Sequence, residues 1–83
     1  MQSNYPEAAA ILTDARAQFV ETGNRLGAAQ CSRSLGDILN DQGNYSEATA
    51  ILTDARAQFI EIGSRLGAAQ CSQSLGNILR MQS

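Results

Sequence analysis

The stretch Ile11-Leu12-Thr13-Asp14-Ala15-Arg16-Ala17-Gln18-Phe19 returns unchanged as Ile51–Phe59, 40 residues further on. The match extends well to both sides. Laying residues 4–39 over 44–79 compares 36 positions, of which seven differ (6/46, 9/49, 20/60, 22/62, 24/64, 33/73 and 37/77) and 29 are identical. Self-similarity at a period of this size marks a repeat array, in which each unit buries its apolar face against its neighbours.

Within each unit the spacing is helical. Ala8, Ile11, Leu12, Ala15, Phe19 and Thr22 form one stripe, and Ala10, Thr13, Asp14, Ala17 and Glu21 lie opposite on a face suited to water. Asn4-Tyr5-Pro6-Glu7 reads as a helix start, with Asn4 as cap, Pro6 in the first turn and Glu7 three residues after the cap. Gly23 supplies a left-handed stop, Asn24 (Ser64 in the second copy) caps the next helix, and Asp41-Gln42-Gly43-Asn44 stops it and opens a third. Asn44 and Glu47 have the spacing of a capping box. Ala28, Cys31, Ser32, Leu35, Gly36, Ile38 and Leu39 cover about half of the second helix, which predicts a helix on each side of it. Gly36 costs about 1 kcal/mol inside a helix, so a close helix–helix approach is expected there. Leu26 falls on the polar side, and the pattern gives no reason for it. The expected fold is all-α, with four antiparallel helices at about 5–22, 25–41, 45–62 and 65–80 and no strand pattern.

These residues carry a family resemblance. Leu35-Gly36, Leu39, Gly43, Tyr45, Ala48, Leu52 and Ala55 resemble the tetratricopeptide pattern W-x₂-L-G-x₂-Y…A-x₃-F…P. Ser32 stands at the Trp position, Leu39 at the Tyr, Leu52 at the Phe and Ile60 at the Pro, so small-residue and leucine packing replaces aromatic packing. The period is 40 against the usual value of about 34, which lengthens both helices. The chain is thus similar to the longer-period arrays of NACHT- and NB-ARC-type signalling proteins. The resemblance implies a short right-handed α-solenoid over 1–83, with one full motif at 29–62 flanked by two half motifs, and a role in binding protein or peptide.

Composition narrows the function further. Eight acids against six arginines give a net charge of −2, with neither lysine nor histidine. A phosphate-binding face needs a basic excess, so nucleic acid is not an expected partner, and basic amphipathic helices for a membrane surface are missing too. No apolar run approaches the length of a membrane span, and MQSNYPEAAA lacks the basic start and apolar core of a signal peptide, which favours a cytoplasmic chain.

Catalysis, cofactor and metal are not expected. Without histidine or lysine the usual nucleophile–base pairings are absent, and Asp14 and Asp54 are duplicate surface positions rather than converging carboxylates. Cys31 and Cys71 sit one repeat apart; packed helices lie about 8–10 Å from each other and a disulfide needs Cα atoms within about 7 Å. Two thiols without histidine do not complete a four-ligand zinc site, so the cysteines read as small buried hydrophobes. Asn44-Tyr45-Ser46 matches a glycosylation sequon but serves better as a helix cap.

The informative positions are those that differ between the copies. Arg33 becomes Gln73, Asp37 becomes Asn77, Asn40 becomes Arg80 and Asp41 becomes Met81. Positions 33, 37, 40 and 41 share a side of the second helix with the unchanged Gln30 and Ser34. In tetratricopeptide arrays this side lines the concave groove, so the resemblance makes Gln30, Arg33, Ser34, Asp37, Asn40 and Asp41, with Gln70, Gln73, Ser74, Asn77 and Arg80, the candidate partner-binding residues. Amide and guanidinium groups there suit a peptide backbone or carboxylate. The alternative is that a solvated face drifts freely after duplication.

The ends suggest a second role. The chain opens MQSNY and closes LRMQS, so that joined tail to head it reads LRMQSNYPEA, parallel to the internal LNDQGNYSEA. This suggests a piece of a longer array, without the polar capping units that solenoids carry. The last helix is then expected to expose Cys71, Leu75, Ile78 and Leu79 as a self-association face, with weak, concentration-dependent stacking or helix exchange as the outcome.

Overall fold

Three glycines 20 residues apart, Gly23, Gly43 and Gly63, divide the chain into helices in a computed structural model that describes residues 4–83. The expectation for Met1, Gln2 and Ser3 as part of an inter-helix turn lies outside the described residues. Each glycine adopts a left-handed φ of 75–81°, which side chains with a Cβ resist. At the first of them the Asn24 amide donates to the Phe19 carbonyl (2.8 Å) and the Gly23 amide to that of Val20 (3.2 Å). This is the paired closure that satisfies the free carbonyls of a helix end. The same bonds recur at Gly43 and Gly63.

The helices are α1 (Tyr5–Glu21), α2 (Arg25–Asp41), α3 (Tyr45–Glu61) and α4 (Arg65–Gln82), and no strand occurs among the described residues. Turns of three residues make neighbours antiparallel. Each helix packs on the next, and α2 also touches α4. The fold is an all-α helical repeat.

The starts of the helices divide into two kinds. The Asn24 and Ser64 side chains accept from the Gly27 and Gly67 amides, at 2.8 and 3.3 Å, and cap α2 and α4. Asn4 and Asn44 hold the cap positions of α1 and α3 but make no side-chain bond, so the capping box expected of Asn44 and Glu47 is not formed. Both starts are exposed, which leaves their first amides to water, and Pro6 removes one such amide from α1 altogether.

The core lies around α3. Ala48, Leu52, Ala55 and Phe59 are fully enclosed, together with Ala29, Cys71 and Ile78 from the flanking helices. Gly36 permits the close approach expected of it: a Cβ there would lie 2.5 Å from Leu52 Cγ. Leu26 and its counterpart Leu66 are exposed.

The end face expected on α4 needs correction. Cys71 (0 % exposed) and Ile78 (1 %) belong to the core, Leu75 is half-buried against it, and only Leu79 (67 %) is open. Cys71, Leu75 and Ile78 follow at i, i+4 and i+7, a stripe that faces the preceding helix. The outward stripe is one residue further round: Ser72, Gly76 and Leu79, joined by Ala69, all exposed.

Candidate protein-interaction surface

Polar side chains of α2 and α4 meet on one side of the molecule. Arg33 Nη1 donates to Asp37 Oδ2 one turn away (3.4 Å), and Ser74 Oγ of α4 donates to Asp37 Oδ1 (3.0 Å). Asp37 thus links the two helices, and Arg33 Nε is buried with no hydrogen-bond partner among the described residues. Cys71 sits close by. Burial raises its thiol above the ordinary 9.0, with Arg33 pulling it down, Asp37 pushing it up and Arg56 pulling it down. Burial outweighs the two arginines, and the thiol lacks the solvent access of a reactive one.

Of the candidate partner-binding residues, the structure joins Arg33, Asp37 and Ser74 through hydrogen bonds. Ser34, Asn40 and Gln70 are half-buried, while Gln30, Asp41, Gln73, Asn77 and Arg80 are exposed, and none of these eight makes a side-chain hydrogen bond to the cluster. Cys31 and Cys71 are both free thiols, and no cluster of metal-binding side chains occurs among the described residues. No helix of the described residues is long and apolar enough to cross a membrane.

Three further polar links escaped the sequence reading. Arg16 Nε donates to Ser32 Oγ and Arg56 Nε to Ser72 Oγ, each at 2.7 Å. Ser32 stands at the Trp position of the motif and is 1 % exposed, so an arginine from the preceding helix bonds a buried hydroxyl there. The signal was present: both partners are identical in the two copies. The other link is an ion pair of Arg25 with Glu61, between the starts and ends of α2 and α3.

A cleft of about 280 Å³ adjoins that ion pair, lined by Arg16, Val20, Arg25, Ala28, Gln58 and Glu61 among others. A second cleft, of about 300 Å³, has the matching residues 40 positions on: Arg56, Ile60, Arg65 and Ala68. It lacks only what Gln58 and Glu61 supply to the first.

Tandem helical hairpins of equal length, stacked through small residues, define a helical repeat protein. Residues 1–61 match the family model described as Tetratricopeptide repeat, and the chain belongs to that family. Members of this family generally serve as protein–protein interaction modules. Comparison with curated proteins and with solved structures gives no match.

Proposed function

We propose that the chain binds a protein or peptide segment along the side formed by α2 and α4, with Arg33 and Asp37 as its polar anchors. The cluster of Arg33, Asp37 and Ser74 carries this reading, because their hydrogen bonds hold a partly exposed guanidinium and a partly exposed carboxylate side by side. An extended backbone presents donors and acceptors that such a pair complements, and an acidic side chain suits the arginine. Gln73 and Asn77 continue the same side as neutral amides, and Arg80 restores a charge one turn further on. The long-period resemblance extends the reading to a recognition array of a NACHT- or NB-ARC-type signalling protein, non-enzymatic and cytoplasmic.

Panning a random peptide library against the chain tests this. Enriched peptides should lose about tenfold or more in affinity to the Arg33→Ala, Asp37→Ala double variant, the scale of a lost charge-assisted hydrogen bond. Peptides that bind the variant undiminished place the site elsewhere.

A further inference from the structure

The α2–α3 junction is a template for a junction between molecules. The face that α2 turns to α3 consists of Ala29, Ser32, Gly36 and Leu39, and α4 carries the identical Ala69, Ser72, Gly76 and Leu79. The face that α3 presents includes Ala48, Ile51, Leu52 and Ala55, and α1 carries the identical Ala8, Ile11, Leu12 and Ala15. Within the chain the fit is tight: a Cβ on Gly36 would meet Leu52 Cγ at 2.5 Å and Ile51 Cγ2 at 3.1 Å. At Gly76 there is nothing within 4 Å, and Ile11 is 64 % exposed. One end bears an empty seat and the other bears the side chains that fill it.

Charge agrees with shape. The internal junction is flanked by Arg25 paired with Glu61. Their equivalents at the ends are Arg65, beside the second cleft, and Glu21, neither of which has an ion-pair partner among the described residues. The cleft at Arg56 and Arg65 lacks a glutamine and a glutamate, and Gln18 and Glu21 of α1 hold the positions that match Gln58 and Glu61. The substitutions at 33/73 and 37/77 lie one residue step, about 100°, round the helix and leave this face unchanged.

We infer that α4 of one molecule takes α1 of a second copy in the register by which α2 takes α3, with Arg65 paired to the second copy's Glu21 and Leu12 seated on Gly76. The contact uses different faces of the two molecules and leaves a free face at each end, so it propagates as an open column. It does not depend on what the α2–α4 side binds.

Sedimentation of the 83-residue chain across a hundredfold concentration range tests the inference. Mass should rise with concentration without settling at a dimer. Gly76→Gln fills the seat with a good helix former at an exposed position, and should keep the chain monomeric with a melting temperature no lower than that of the wild type. Arg65→Glu and Glu21→Arg should each weaken association about tenfold, since each turns an attraction into a repulsion of similar size. An equimolar mixture of the two should restore it, because each tail then finds an oppositely charged head. A wild-type chain that stays monomeric, a fixed dimer indifferent to Gly76→Gln, or a mixture no better than either variant would each overturn the register.

Discussion

α1 and α3 differ at three positions, Pro6/Ser46, Ala9/Thr49 and Val20/Ile60, yet α3 buries Ala48, Leu52, Ala55 and Phe59 while α1 buries nothing fully. Neither propensity nor pattern separates them. The difference is the company each keeps: α3 lies between α2 and α4, whereas α1 packs on α2 alone. The chain is therefore its own control experiment, in which one sequence is read in two environments. Burial in a solenoid belongs to a residue's place in the stack as much as to its type.

Matched substitutions sharpen this comparison. Leu52→Ala removes a fully enclosed side chain and should cost about 2–5 kcal/mol, whereas Leu12→Ala, at the half-buried equivalent, should cost about 1–2 kcal/mol. Urea unfolding of the two variants measures the gap, and equal losses would mean that α1 is covered as fully as α3. Gly36→Ala and Gly76→Ala should differ in sign. The first forces a methyl onto Leu52 and should destabilise by about 1–3 kcal/mol; the second enters open space and should stabilise by about 0.5–1 kcal/mol through helix propensity. Thermal melts at a concentration too low for association resolve the two directions. The smallest contrast is polar. Ser32→Ala leaves Arg16 without its buried acceptor and should cost about 1 kcal/mol, while Ser72→Ala, at an exposed site, should stay within about 0.5 kcal/mol.

Much of the fold was legible because duplication wrote it twice. The glycines at 23 and 43 announced the helix stops, and Gly36 announced a close approach, each for a steric reason that needs no tertiary information. Which face of α4 meets solvent was not legible. A wide apolar arc on a helix predicts two neighbours, but the arc itself does not say which half each neighbour covers. Cys71 and Ile78 turned out to belong to the α3 side, one residue step of 100° from the open stripe at Ser72, Gly76 and Leu79. The candidate surface was legible in part. Copy-to-copy change pointed to Arg33 and Asp37, and helical position to Ser74, but the bond that joins Ser74 to Asp37 spans 37 residues of chain and no local pattern encodes it.

The three turn glycines have a mechanical meaning. Gly23, Gly43 and Gly63 share one φ to within a few degrees, and the same pair of backbone bonds closes each turn. A rod with identical joints behaves as a spring: a small rotation common to all of them adds up in proportion to their number. Any structure built by continuing this unit would multiply whatever rotation each turn imposes, once every 20 residues.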